Sequence, residues 1–164
     1  MSIAIYPGSF DPVTLGHLSV IRQAARLYPH VVVLVAINPE KRGLFSLEER
    51  VSLVRDAVKR FPNVSVDATE GLVVDYAREI GATVLVRGLR GASDADVETT
   101  LANHNRQLAP EIATVLLPAA PELAQVSSSR LKELARTGAD LSPWCPPLVA
   151  EQLRSRIAPE GVSR

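Results

Sequence analysis

Residues 3–17, with the sequence IAIYPGSFDPVTLGH, decide the fold of this chain. The first four of them form a short apolar run that predicts a buried strand, and Pro7-Gly8 is a turn signal. Leu18, Ile21 and later apolar residues then recur at the spacing of a helix. A buried strand, a glycine-containing loop and a helix in this order are typical of the first unit of a parallel α/β sheet.

The rest of the chain continues this alternation of strand and helix. Apolar runs predict strands at residues 3–6, 31–37, 64–66, 83–86 and 113–117. Helical periodicity and capping signals predict helices at residues 18–28, 47–58, 72–80, 94–108, 129–136 and 146–157. This order predicts a single-domain, Rossmann-like α/β fold, with a five-stranded parallel sheet and helices on both faces. We assign residues 1–158 to this domain and 159–164 to a frayed C-terminal tail.

The composition excludes several classes of function. Lysine plus arginine equals aspartate plus glutamate, at 18 each, so the chain lacks the overall basic field of non-specific nucleic-acid binders. Its one cysteine, Cys145, excludes an intramolecular disulfide and belongs to no metal or redox motif. No apolar run is long enough to span a bilayer, and no basic segment precedes the first strand. We therefore expect a cytoplasmic protein with neither a nucleic-acid nor a membrane partner.

Candidate binding residues follow the first strand, where ligands of parallel α/β sheets bind. Gly8 lets the backbone approach a ligand closely, and Thr14 is a candidate N-cap of the next helix. His17 then lies in the first helical turn, where free N–H groups favour an anion, and Gly16 leaves room for a phosphate. His17 can donate hydrogen bonds to phosphate oxygens. Taken alone, the same spacing also fits a surface histidine beside a tight turn.

Three other loops carry groups that bind phosphate. Lys41 and Arg42 follow the second strand, although most loop lysines are simply solvated. Residues 87–90, RGLR, follow the fourth strand and form a candidate anion cradle, because guanidinium groups bind phosphate oxygens through paired hydrogen bonds. The serines at 127–129 offer hydroxyl and N–H groups to a polyphosphate, or act only as N-caps.

The motif GSFDPxTxGH, directly after the first strand, closely resembles the signature of nucleotidyltransferases. In its YPGSFDP form with threonine at 14, it resembles the phosphopantetheine adenylyltransferase family. RGLR, the pair Asn105-Arg106 and the segment VSSSRLK at residues 126–132 match further motifs of that family, in order. The resemblance implies that the chain transfers the adenylyl group of ATP to 4′-phosphopantetheine, giving dephospho-coenzyme A and pyrophosphate in coenzyme A biosynthesis. It also implies Mg²⁺ as cofactor, no metal ligands from the protein, and a homo-oligomer, specifically a hexamer.

The resemblance also assigns roles to individual residues. It implies that His17, Lys41 and Arg90 are catalytic, with His17 donating to the α-phosphate in the transition state. The residues implied to bind 4′-phosphopantetheine are Ser9, Lys41, Val73 and Arg87. Those implied to bind ATP are Ser9, Phe10, His17, Gly88, Leu89, Arg90, Glu98, Leu123, Ala124, Gln125, Val126, Ser127, Ser128 and Ser129. For Glu98 an exposed helical face is the alternative interpretation.

Two segments depart from the family pattern. The family usually carries an aromatic-acidic cluster after RGLR, where residues 94–98 of this chain are DADVE, and an aromatic segment where residues 123–125 are LAQ. Aromatic rings supply large contact areas, so their loss predicts weaker binding of adenine and weaker subunit contacts. Two other functions remain open: another small nucleotidyltransferase, of the cytidylyl or nicotinate-nucleotide type, and a non-catalytic nucleotide-binding regulator on the same fold.

Overall fold

The computed structural model describes residues 2–159 and residue 161. One sheet contains five strands: β1 (Ile3–Gly8), β2 (His30–Ala36), β3 (Val64–Thr69), β4 (Val84–Leu89) and β5 (Ala113–Pro118). The helices are α1 (Leu15–Leu27), α2 (Leu47–Val58), α3 (Val73–Ile80), α4 (Ala92–Leu108), α5 (Ser128–Arg136) and α6 (Pro147–Arg156). Most of the predicted tail, namely residues 160 and 162–164, lies outside the described residues.

The sheet is covered on both faces, as predicted. A core that includes buried residues of α1, α2, α5 and α6 packs on one face, and a smaller core that includes buried residues of α3 packs on the other. Successive residues of β1 divide between the two: Ala4 and Tyr6 belong to the first core and Ile5 to the second. Strand pleating requires this alternation, and burial on both faces explains why β1 is apolar throughout.

All neighbouring strands are parallel, in the order β3-β2-β1-β4-β5, which confirms the predicted Rossmann-like sheet. The strand order reverses at β1, where Ile5 pairs with Val32 of β2 on one side and with Leu85 of β4 on the other. A reversal of this kind leaves a crevice at the carboxyl ends of the two central strands. The loops after β1 and β4 border this crevice, which positions the candidate site.

Four strands are longer than the sequence predicted, namely β1, β3, β4 and β5. β4 continues to Leu89, which pairs with Pro118 of β5, so Arg87 and Gly88 end a strand where a loop was predicted. β1 likewise continues to Gly8, which pairs with Val35 of β2. Glycine and proline are weak strand residues, and here the neighbouring strands extend the ladder past them.

The predicted helix ends are confirmed where their chemistry is specific. Ser46 and Glu49 form the expected capping box of α2, with side chain to backbone distances of 3.2 and 2.8 Å. Gly81 ends α3 in the left-handed region, at φ 71°. Among the described helices, none combines the length and hydrophobicity that crossing a membrane requires.

Candidate active site

A cavity of about 450 Å³, the main cavity, lies at the carboxyl ends of β1 and β4. The glycines that line this cavity leave room for a ligand beside the backbone. The polar side chains that line it include arginines and hydroxyl groups. Its lining includes Gly16, His17, Arg87, Arg90, Ser127 and Ser128.

Two smaller cavities adjoin the main cavity through shared residues. The loop cavity, about 220 Å³, carries the cations Lys41, Arg42, Arg50 and Lys132. The apolar cavity, about 360 Å³, is lined by Leu72, Val73, Leu101 and Leu108, together with Asn105 and other residues.

Ser9 lines all three cavities, Arg87 lines the main and apolar cavities, and Ser128 lines the main and loop cavities. Three spaces with different chemistry therefore meet at the loop after β1. The resemblance assigned Ser9, Lys41, Val73 and Arg87 to one substrate. The structure brings these residues, from four separate segments, together around this junction.

His17 is held by the cap of its own helix. The backbone N–H of Thr14 donates to Nδ1 of His17 at 3.0 Å, and the N–H of His17 is 3.3 Å from Oγ1 of Thr14. His17 thus occupies the position that Glu or Gln holds in an ordinary capping box. Because Nδ1 accepts the Thr14 proton, the ring proton of a neutral His17 resides on Nε2.

The surroundings of His17 keep it neutral. Burial lowers the pKa of His17 to about 4, and the charges of Arg87 and Arg90 act in the same direction. Phe10 packs edge-on against the imidazole, with the ring centroids 4.9 Å apart. His17 is therefore a neutral donor at pH 7, suited to a hydrogen bond with a phosphate oxygen and not to transfer of a proton.

Arg87 and Glu98 form a bidentate ion pair, at 2.8 and 3.0 Å. The remaining guanidinium nitrogen of Arg87 donates to the carbonyl of Pro7 at 2.8 Å. The sequence assigned Arg87 and Glu98 to different substrates, whereas the structure joins them at the wall between the main and apolar cavities. Glu98 is thus not a free surface residue, since only 12% of its side chain is exposed.

Arg90 is paired in a similar way but at the surface. Its guanidinium contacts Asp94 at 3.1 and 3.3 Å, and its backbone N–H donates to the same carboxylate. These bonds hold the pKa of Asp94 below its usual value. Both arginines therefore face the main cavity with a carboxylate already bound, which fixes their orientation.

The serine segment also borders the main cavity, through Ser127 and Ser128. Ser127 caps α5 by accepting the N–H of Arg130, and Ser128 donates to the carbonyl of Pro12 at 2.8 Å. This second bond ties the start of α5 to the loop after β1. A Cβ on Gly16 would lie 3.6 Å from the carbonyl of Val126, so the two segments approach closely there.

Not every predicted contact lines the three cavities. The Phe10 ring is buried between Tyr6 and His17, and Gln125 lines a separate surface cavity. Others predicted to bind ATP are absent from the cavity walls: Leu89, Leu123 and Ala124.

Sequence reasoning missed three charged residues of the loop cavity: Asp11, Arg50 and Lys132. Arg50 offered a signal, because it lies three residues after Leu47 on the apolar face of α2. A charged side chain at such a position needs a buried partner, and Asp11 provides it.

Comparisons of sequence and fold relate this chain to known proteins. Residues 5–134 match the family model described as cytidylyltransferase-like. The phosphopantetheine adenylyltransferase of Desulforudis audaxviator is 48% identical over 161 residues, covering 98% of this chain and 99% of the relative. That of Synechococcus sp. (strain JA-3-3Ab) is 49% identical over 155 residues, covering 94% and 98%.

A solved structure extends the comparison of folds. Plasmodium falciparum nicotinic acid mononucleotide adenylyltransferase complexed with NaAD superposes with a TM-score of 0.68, covering 94% of this chain and 95% of that one. At 16% identity this likeness concerns the fold alone. The two relatives above are 48% and 49% identical over nearly the whole chain, and this similarity identifies the family within the fold. The chain belongs to the phosphopantetheine adenylyltransferase family.

Proposed function

We propose that the protein transfers the adenylyl group of ATP to 4′-phosphopantetheine, releasing dephospho-coenzyme A and pyrophosphate. The observation that carries the chemistry is His17, a neutral donor held at the main cavity by the Thr14 cap. The similarity to phosphopantetheine adenylyltransferases supplies the identity of the acceptor.

The three cavities suggest how the two substrates are arranged. We propose that ATP occupies the main cavity, with its phosphates near Arg90 and the serines of the α5 start. The pantetheine arm, which is largely uncharged, suits the apolar cavity, where Leu72, Leu101 and Leu108 are 58%, 37% and 42% exposed. Its phosphate would then lie near Ser9, within reach of Arg87 and the Lys41 loop. Both reactive phosphates thus meet at the junction of the cavities.

The reaction needs no nucleophile from the protein. An oxygen of the 4′-phosphate, already anionic at neutral pH, forms a bond to the α-phosphorus, and the bond from that phosphorus to the bridging oxygen of pyrophosphate breaks. Catalysis then depends on alignment of the two phosphates and on donors for the charge that develops. We assign the α-phosphate to Nε2–H of His17, the incoming phosphate to Lys41 and Arg87, and the leaving phosphates to Arg90 and the serines.

We propose that Mg²⁺ enters with ATP as the MgATP complex. Within residues 2–159 and 161, no group of three or more His, Cys, Asp or Glu side chains could hold a metal ion. The phosphate oxygens are hard ligands that Mg²⁺ prefers, and a magnesium ion there would neutralise charge on the leaving pyrophosphate.

We also propose a homo-oligomer, a hexamer by family resemblance, working in the cytoplasm. All seventeen residues of α4 are at least partly exposed, and Val97 on this helix is 68% exposed. A long helix with so little burial gains stability from a neighbouring subunit. Sedimentation of the purified protein tests this, and a monomer at micromolar concentration would contradict it.

Product analysis tests the function directly. The protein is incubated with Mg²⁺, ATP and 4′-phosphopantetheine, and products are identified by mass spectrometry. CTP replaces ATP in one parallel reaction, and nicotinate mononucleotide replaces the acceptor in another. Dephospho-coenzyme A with ATP alone supports the proposal. Turnover only with CTP or nicotinate mononucleotide would identify another nucleotidyltransferase, and ATP binding without any turnover would identify a regulator.

A further inference from the structure

Asp11 is a buried carboxylate whose two oxygens bind two consecutive backbone amides. Its Oδ1 accepts the N–H of Phe45 and its Oδ2 accepts the N–H of Leu44, both at 2.9 Å, and Lys132 donates to Oδ2 at 3.2 Å. Asp11 is only 7% exposed. It belongs to the loop after β1, while Leu44 and Phe45 end the loop after β2. One side chain therefore joins the two loops at the floor of the loop cavity.

Arg50 completes this junction from α2. Its Nε donates to the carbonyl of Phe45 at 2.9 Å and lies 3.4 Å from Oδ1 of Asp11, and its Nη1 donates to the carbonyl of Ser9 at 3.2 Å. The side chains of Arg50 and Asp11 are 8% and 10% exposed. The guanidinium thus connects Ser9, the residue shared by all three cavities, to the segment that follows Lys41.

Gly43 shows how tightly the junction is packed. A Cβ there would lie 1.8 Å from Nη2 of Arg50 and 2.5 Å from Oδ2 of Asp11. Its φ lies outside the left-handed region, so close approach of the two charged groups, and not backbone conformation, demands glycine.

Lys41 lies in the loop that Asp11 and Arg50 attach to the loop after β1. The loop of residues 37–46 connects β2 to α2. Lys41 is exposed, and within residues 2–159 and 161 its one hydrogen bond is a turn bond, from its N–H to the carbonyl of Asn38 at 3.0 Å. The nearest side-chain attachments on its carboxyl side are at Leu44, where Asp11 accepts the backbone N–H and Nη1 of Arg156 donates to the carbonyl at 3.3 Å. Building on the adenylyl transfer proposed above, we propose that Asp11, supported by Arg50, is a positioning residue that holds the Lys41 loop against Ser9 for the phosphate of the incoming substrate.

The charge of Asp11 suits this role. Burial alone would raise the pKa of Asp11, but the two amides and Lys132 outweigh it and hold the pKa below its usual value. The carboxylate is therefore ionised throughout the neutral range, and it offers an acceptor to each amide. Each amide bonds a different oxygen of Asp11, so an asparagine in the same position would turn its NH2 group, a donor, toward one of them, and that amide would lose its acceptor.

The test uses Asp11→Asn in the full-length protein, with Asp140→Asn as a matched control. Asp140 also accepts a backbone N–H, from Ser142 at 3.0 Å, but lies in the exposed loop before α6. Hydrogen exchange is measured on the peptide covering residues 38–46, and KM is measured for each substrate. We expect exchange at residues 44 and 45 to rise about tenfold or more in Asp11→Asn. KM for 4′-phosphopantetheine should rise about tenfold, and KM for ATP less than threefold.

A second variant covers the case in which Asp11→Asn does not fold. Gly43→Ala keeps every charge and forces the Asp11 and Arg50 side chains apart, so it should give the same split between the two KM values. Unchanged exchange at residues 44 and 45, or equal rises in both KM values in a folded variant, would overturn the proposal. If the wild-type chain shows no transfer while exchange responds as expected, the proposed function fails and the loop attachment stands.

Discussion

Replacing His17 by alanine removes two interactions, which the two nitrogens of its ring make separately. One is the Nε2–H donor at the main cavity. The other is the Nδ1 acceptor, 3.0 Å from the N–H of Thr14, which completes the cap of α1. The first concerns the transition state and the second concerns stability, so the two losses should appear in different measurements.

The expected magnitudes follow from these contacts. Loss of one donor to developing charge costs about 10²–10³ in kcat. Loss of a cap partner costs about 1 kcal/mol of unfolding free energy, or a Tm decrease of about 2–4 °C for a chain of this size. ATP affinity should change little, because Arg90 and the serines remain.

His17→Gln is the matched variant. Glutamine is an ordinary residue at this position of a capping box, so its side chain restores an acceptor for the N–H of Thr14. It lacks the imidazole Nε2–H donor. We expect His17→Gln to have near wild-type Tm and a kcat at least tenfold below wild type. Initial rates of pyrophosphate release give kcat, calorimetry with a non-hydrolysable ATP analogue gives affinity, and thermal unfolding gives Tm. A well-folded His17→Ala variant with kcat within tenfold of wild type would refute the role assigned to His17.

Three further predictions follow from the same site. Lys41→Ala should raise KM for 4′-phosphopantetheine by about ten- to a hundredfold, the scale of a lost charged hydrogen bond, with little change in ATP affinity; calorimetry showing the reverse would exchange the two assignments. The unfolding free energy should fall as pH drops from 6.5 to 5. His17 has a pKa of about 4 in the folded chain and about 6.5 in the unfolded chain, so in this range the unfolded chain takes up a proton that the folded chain does not. Tm measured against pH should therefore fall less in His17→Gln, which lacks this group. Aromatic residues at Ala95 and Val97 together should raise ATP affinity about two- to tenfold and slow oligomer dissociation, since each ring pair contributes about 0.5–1.5 kcal/mol; unchanged affinity and assembly in a folded protein would contradict this.

The sequence predicted the sheet and the first turn of α1 because their signals are local. Apolar runs mark strands buried on both faces, and the Thr14 cap marks the start of a helix. That start places His17 in the first turn by spacing alone. The tautomer of His17 lay beyond such reasoning, because it depends on the direction of one backbone N–H.

The pairing of charges was the part that sequence did not predict. Arg87 and Glu98 are eleven residues apart, and Asp11 and Lys132 are 121 residues apart. Neither separation carries a periodic signal. Arg87 lies on β4 and Glu98 on α4, the helix that follows it. Asp11 and Lys132, in contrast, meet where α5 approaches the loop after β1. Charged residues on apolar faces, such as Arg50, indicate that a partner exists but not which one.

The bond from Arg87 to the carbonyl of Pro7 spans eighty residues of chain, and it crosses the pair of strands at which the sheet reverses. Closing a loop of that length lowers the entropy of the chain before the new contacts can stabilise it. Such long-range pairings therefore form slowly compared with helices. The half of the sheet formed by β1, β2 and β3 and the half formed by β4 and β5 each involve shorter loops, so each half can form before β1 pairs with β4. During refolding from denaturant, the helical circular dichroism signal should therefore return before the capacity to bind ATP, since the pocket is complete only once β1 and β4 have met.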